Sequence, residues 1–265
     1  MSQTMKFFRT LSMGRTAAFL MLAGGAGGAA AAPEEIQVYM DEMNKPGEFG
    51  LDIHNNYVLS GSREPDHSGG LVSRHTFRVT PEFSYGLSKS FELGAYVLSA
   101  RGPDGETRID GEKLRVKFIA PKAEENPFFY GANLEIGRVD HRLDENPWNG
   151  ELKGIFGYKG GRWTAAMNAN IDFKISGPAA NPTSLEIDTK LAYKTNCGYQ
   201  LGVESYNALG PFRQLGALGQ QSQTLYAVID TSIHGWDLNF GIGRGYAGAT
   251  DRWVLKAIVG VPFGT

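Results

Sequence analysis

Between Arg162 and Ser176 the chain reads RWTAAMNANIDFKIS, in which Trp163, Ala165, Met167, Ala169, Ile171, Phe173 and Ile175 are all apolar. The positions between them, Thr164, Asn168, Asn170, Asp172, Lys174 and the closing Ser176, are polar or charged, with Ala166 the apolar exception. Side chains that alternate with a period of two belong to an extended strand, because successive residues point to opposite faces. Strands of soluble proteins are commonly about 5 to 6 residues long. A tilted strand of roughly 9 to 11 residues crosses the hydrocarbon core of a bilayer. The pattern therefore predicts a membrane-spanning strand with lipid on the Trp163 face and water on the Asn168 face.

The same period returns along the chain. It is carried by Phe49, Leu51, Ile53 and Tyr57, by Phe77, Val79, Phe83 and Tyr85, by Phe91, Leu93, Ala95 and Val97, and by Leu114, Val116 and Phe118. Phe128, Tyr130, Ala132, Leu134 and Ile136 form the next set, followed by Leu152, Gly154, Phe156 and Tyr158. Beyond the opening stretch come Leu185, Ile187, Leu191 and Tyr193, then Tyr199, Leu201 and Val203, then Leu225, Ala227, Ile229 and Ile233. Trp236, Leu238, Phe240 and Ile242 precede the last set, which runs from Trp253 to Phe263. The fold class expected is all-β, a transmembrane antiparallel up-and-down β-barrel of about twelve strands.

The connections support this reading independently. LSKS, PKAEEN, KGG, TNC and HG alternate with longer links rich in Gly, Pro and charge, such as SGSREPDHSGGLVS, ARGPDGETRIDG and NALGPFRQLGALGQQS. Short periplasmic turns alternating with longer outer loops are the layout of an outer-membrane barrel. Tyr85 and Phe91, Tyr158 and Trp163, and Tyr193 and Tyr199 bracket the short turns, with the aliphatic variant Ile233 and Trp236 at the last. They suit an interfacial aromatic girdle, although hairpin packing would also place rings there. Pro81 falls inside the second strand, where a closed barrel has no edge to hide its missing N–H, so a bulge or a water is expected at that point.

Composition refines the compartment. Lys6, Arg9 and Arg15 precede an apolar core from Ala17 to Ala23 and a Gly/Ala tail, the layout of a secretory signal peptide, with cleavage expected after Ala31. Residues 1–31 are thus read as signal peptide, 32–47 as a periplasmic segment and 48–265 as barrel. Beyond the leader no run of about 18 apolar residues suggests a membrane helix. A net charge of −2 gives no reason to expect nucleic acid. Cys197 is the lone cysteine and forms no internal disulfide. It reads as a turn residue rather than a redox centre. The chain ends WVLKAIVGVPFGT, resembling the terminal strand by which barrels engage the assembly machinery, with Phe263 as the closing aromatic and Gly264 and Thr265 as two extra residues.

EIQVYMDEMNKPGEFGLDIHNNYV followed by RVTPEFSYGLSKSFELGAYV resembles the opening of a proteobacterial outer-membrane family described as transporters and grouped with the phenol meta-pathway barrel proteins. The resemblance covers Glu35 to Val97 and implies an outer-membrane address and a transport role, with no catalytic motif to carry over.

The inward set is strongly polar, and its charges are of both signs. Lumen-lining candidates are the basic stripe Lys113, Arg115 and Lys117 together with Glu135, Asp172, Lys174 and Glu204. A ring of one sign would select ions. Interleaved signs favour a salt-bridged wall, leaving the basic stripe as the candidate attractor for small anions. Twelve strands lie between filled eight-stranded barrels and open 16-stranded ones, so a narrow or partly plugged pore is expected. Two other readings compete with passive passage of solutes. A lipid-modifying hydrolase would need a nucleophile, a base and an orienting group in mutual reach. Only Ser73 and His75, at the outer rim, hint at one. A structural or adhesive barrel would act through its loops. The carboxylates and imidazoles of REPDH and DHRLDE read as solvated loop charge rather than metal ligands. No cofactor is expected. The partners are outer-membrane lipid, a small solute and the assembly machinery.

Overall fold

The computed structural model describes residues 35–180 and 182–262. Among these residues lie the strands β1 (Phe49–Ser60), β2 (Phe77–Gly86), β3 (Phe91–Arg101), β4 (Thr107–Ile119), β5 (Phe128–Val139) and β6 (Trp148–Gly160). They continue as β7 (Trp163–Ser176), β8 (Ser184–Lys194), β9 (Gln200–Pro211), β10 (Ser222–Ile233), β11 (Trp236–Ala247) and β12 (Trp253–Val261). Each pairs antiparallel with its neighbours in sequence, and β12 pairs with β1 to close the barrel. No helix of the described residues is long and apolar enough to cross a membrane. The crossing is made by strands each paired with two neighbours around a closed ring, which is how a sheet survives in hydrocarbon.

The faces follow the alternation. On β7, Trp163 is 51 % and Met167 42 % exposed, whereas Asn168 is fully buried. Phe83, Leu114, Phe156, Leu201 and Phe240 are likewise exposed, while His54, Glu82, Lys153, Glu186 and Lys256 are buried. The apolar coat is therefore outside and the ionic lining inside. Rings on adjacent strands meet near the short turns, at 4.7 Å for Phe49 and Tyr85, 5.1 Å for Phe91 and Phe118, 5.2 Å for Phe128 and Tyr158, and 5.0 Å for Trp163 and Tyr193. The girdle and the cross-strand packing pairs are thus the same residues. The tight β10–β11 turn uses His234 and Gly235, with φ of 52° and 82°, the left-handed pair that matches the twist of a two-residue hairpin.

Two local features differ from the sequence reading. ARGPDGETRIDG, expected to form a long loop, contracts to a turn at residues 102–106, because Arg101 pairs with Thr107 and Ser99 with Ile109. The register then shifts between Leu98 and Ser99, Leu98 pairing with Gly111 and leaving Asp110 as the extra residue of a bulge. Gly111, at φ 152°, is needed there, since a Cβ would lie 2.4 Å from the Arg138 carbonyl oxygen. At Pro81 no bulge forms. Pro81 stays in register with Ile53 of β1, while its pairing with β3 lapses between Val79–Ser99 and Glu82–Tyr96 without a shift. The missing donor falls on the β3 side, where Ser99 Oγ instead donates to the Val79 carbonyl at 2.6 Å.

The largest departure concerns the N-terminal segment. The periplasmic position expected for residues 32–47 does not hold for the stretch from Glu35 to about Asn44, which runs inside the cylinder. Ile36, Val38 and Tyr39 are buried in one apolar cluster with Val58, Ile119, Phe129, Ile155, Ala166, Tyr206, Tyr226, Val228 and Val254 of the inner wall. Burying side chains of this size is worth about 1.5–3 kcal/mol each, and the wall supplies the matching apolar positions. Residues 1–34, with the signal peptide and the cleavage point, lie outside the described residues, as does Phe263.

Candidate functional site: the occluded lumen

The segment is fastened along its length. At the short-turn mouth the Gly47 N–H donates to the Gly86 carbonyl at 2.7 Å. The Asn44 N–H reaches Glu92 Oε2 at 2.6 Å, and its side-chain amide reaches Ser84 Oγ at 2.7 Å. Asp41 faces Lys122 at 3.1 Å and Lys159 at 2.5 Å, and Lys159 also bonds Glu42. Burial works against the Asp41 carboxylate, but Lys159 and Lys122 outweigh it and hold its pKa below the ordinary value. That contribution is present above the usual carboxylate range and is lost as pH falls through the lowered pKa.

Deeper in, Asn168 of β7 imitates a strand partner. Its Oδ1 accepts the Tyr39 N–H at 2.6 Å, and its Nδ2 donates to the Tyr39 carbonyl at 2.9 Å. The Tyr39 hydroxyl shares a 2.5 Å hydrogen bond with Tyr96 and donates to Glu135 at 3.2 Å. Its ring faces the Lys153 ammonium at 4.2 Å and the Lys117 ammonium at 5.2 Å. At the far end Lys256 of β12 donates to the Ile36 carbonyl at 3.0 Å. Backbone groups of a single unpaired strand, taken out of water, need such partners.

All the lumen candidates face inward, and most are already engaged. Arg115 donates from Nε to Glu82 at 2.6 Å and from Nη2 to Glu92 at 2.8 Å. Lys117 donates to the Glu42 carbonyl at 2.7 Å, and Lys113 also has partners. Within the basic stripe, Arg115 therefore neutralises the wall and Lys117 holds the segment. Glu135 accepts from Asn133 at 2.8 Å, and Lys174 caps the Gly177 and Ala179 carbonyls at 3.3 and 2.5 Å. Glu204 pairs with Lys190 at 3.1 Å and with Lys256. Asp172 stands opposite Ser184 in the β7–β8 ladder.

Acceptors are in surplus elsewhere. Glu186 Oε1, Asp188 Oδ1 and Asn170 Oδ1, on β7 and β8, are buried without a hydrogen-bond partner. Among the described residues one group of ligand-type side chains converges, Glu35 with His54 and Glu82, whose ligand atoms lie within 4.8 Å. His54 Nε2 sits 3.0 Å from Glu82 Oε2, and Arg115 occupies the other Glu82 oxygen, so the group is built into the ionic network.

The hydrolase constellation does not assemble at the outer rim. The Ser73 hydroxyl donates to Asp251 at 2.5 Å, and His75 stacks on Tyr57 at 6.4 Å. The loop histidines act as a clasp. His67 approaches the His141 carbonyl at 2.6 Å and His141 the Ser68 carbonyl at 2.9 Å, tying the β1–β2 loop to the β5–β6 loop.

The sequence reading missed the segment itself. A signal was present in the inward apolar residues Ile119, Phe129, Ile155, Tyr206, Tyr226 and Val254, which interrupt an otherwise polar face and require an apolar partner inside the barrel.

No family model matches the chain. No curated protein matches it either. Several solved structures do. The COG4313 outer membrane channel from Pseudomonas putida F1 aligns with a TM-score of 0.60 at 14 % identity, covering 86 % of this chain and 100 % of that one. The KdgM porin in complex with disordered oligogalacturonate gives 0.55 at 10 % identity, over 81 % and 99 %. The NanC porin gives 0.53 at 12 % identity, over 81 % and 100 %. At these identities the likeness is one of fold, that of an outer-membrane barrel.

Proposed function

We propose that the protein is a passive outer-membrane channel for small solutes, working without a cofactor, and that its N-terminal segment closes the lumen in the state described. The observation that carries this reading is a polar lumen blocked by a strand that the wall holds through hydrogen bonds, ion pairs and a small apolar cluster. None of these is covalent, so the segment can leave without breaking the barrel. The resemblance over Glu35–Val97 to the phenol meta-pathway group supports the same reading, as does the kinship of fold with channels. The reading includes cleavage after Ala31, outer-membrane lipid as surroundings and the assembly machinery as partner of the strand ending at Phe263. Purified protein in planar bilayers should give discrete conductance steps as the segment leaves, and silence across a range of salts both in the full chain and after removal of residues 35–44 would point to a structural role.

Orientation is tested separately. Cys197 is exposed in the β8–β9 turn, and this reading places that turn in the periplasm. A membrane-impermeant maleimide should leave Cys197 unlabelled in intact cells and label it once the outer membrane is permeabilised. In a C197S background Leu218→Cys, in the β9–β10 loop, should label in intact cells.

A further inference from the structure

Beside Ile36 of the N-terminal segment the lumen holds a cavity of about 70 Å³. Its walls come from separate elements. Glu186 of β8, Tyr206 of β9, Tyr226 of β10, Asp251 of the β11–β12 loop, Val254 of β12 and Ile36 of the segment all line it. Glu186 is 3 % exposed, and its Oε1 has no hydrogen-bond partner.

The surrounding cations are committed elsewhere. Lys190 is held by Glu204 at 3.1 Å and Asp230 at 2.9 Å, Lys153 by Glu151 at 3.2 Å, and Lys256 by Glu204. Arg78 itself lines the cavity, and its charge offsets that of Asp251, which leaves Glu186 as the carboxylate without a matching cation. A buried carboxylate oxygen without a donor is costly, and the cavity is where a donor can enter. The other walls narrow its chemistry. Tyr206 and Tyr226 pack edge to face with centroids 5.5 Å apart. They already receive one ammonium, that of Lys256 at 5.8 and 5.6 Å. Val58, Val254, Ala208 and Ile36 add aliphatic surface. A carboxylate beside aromatic and aliphatic walls is the setting that holds an organic cation, through charge at one end and apolar contact at the other.

We propose that this cavity is a binding subsite for a small organic ammonium ion, its nitrogen on Glu186 and Asp251 and its carbon chain against Tyr226, Val254 and Ile36. As a station on a solute path the subsite rests on the channel reading above, whereas as a binding site it does not. The cavity is small, which limits the ligand to a short-chain ammonium ion of a few heavy atoms.

The test uses the full mature chain in micelles, with the methyl groups of Ile36, Val58, Ala208 and Val254 observed by NMR. n-Propylammonium should shift these signals saturably, while n-propanol and propionate, of the same size, should bind at least about tenfold more weakly, the 1.4 kcal/mol expected from one charge-assisted hydrogen bond. Glu186→Gln should weaken propylammonium by a similar factor. Val254→Met, which fills the space without touching the charge, should abolish the response, giving a second check should the Gln variant fail to fold. Equal binding of propanol, or an unchanged titration in Glu186→Gln, overturns the proposal. Propylammonium binding in a barrel that never conducts would remove the channel reading and leave the subsite standing. Conduction without binding would do the reverse.

Discussion

Removal of residues 35–44 will raise single-channel conductance severalfold and lower the thermal stability of the barrel. The deletion takes Ile36, Val38 and Tyr39 out of the lumen and frees Asn168, Tyr96 and Glu135 to water. What remains is a twelve-stranded cylinder lined by charge, of a width between those that side chains fill and those that leave an aqueous channel. Loss of the buried apolar contacts at about 1.5–3 kcal/mol per large side chain should show as a lower unfolding temperature. A gentler variant separates blocking from stability. Asn168→Ala removes both hydrogen bonds to the Tyr39 backbone while keeping every apolar contact of the segment. Planar-bilayer recordings should show brief openings for Asn168→Ala and sustained ones for the deletion. Conductance unchanged in both variants would mean that the segment does not obstruct the route.

Ala169→Arg should destabilise the barrel by about 2–4 kcal/mol, the cost of an arginine near the bilayer midplane on the lipid face. Ala169 lies midway along β7, pairs with Gly154 and Ile187, and shares its face with Met167 and Ile171. Its neighbour Asn170 points the other way, beside Glu186 in the ladder and hydrogen-bonded to Asp188 at 2.7 Å. An arginine there enters a wall rich in unmatched acceptors, so Asn170→Arg should cost much less. Asn168 is unsuited as a control, because it also holds the segment. Reversible unfolding in lipid vesicles measures all of these, and equal penalties at 169 and 170 would contradict the assignment of the two faces.

The barrel was legible in the sequence because its physics is local. A period of two, sustained beyond the length of a soluble strand, specifies both faces at once, and the turns sort themselves by length. The loop at 102–106 was harder to see, because Gly111 reads as a loop residue but serves a bulge that lets β4 continue. The occupied lumen was not legible from alternation alone. Pairing depends on which residues meet across the barrel, and neither the Tyr39–Asn168 bonds nor the Lys117–Glu42 contact leaves a periodic trace. For the same reason the basic stripe looked like an anion attractor until Glu82, Glu92 and the segment were seen against it.

The clasp between Lys256 and Ile36 joins the luminal segment to the last strand across 220 positions. In synthesis and export the segment comes first and β12 comes last, so the thread is present before the wall that will hold it is complete. Contacts this distant in sequence form late. Seating of Ile36 on Lys256 therefore requires β12 to be in place, and it reports that the last strand has joined the wall. A chain whose last strand has not joined keeps the thread loose, so protease sensitivity near Ile36 would mark unfinished barrels.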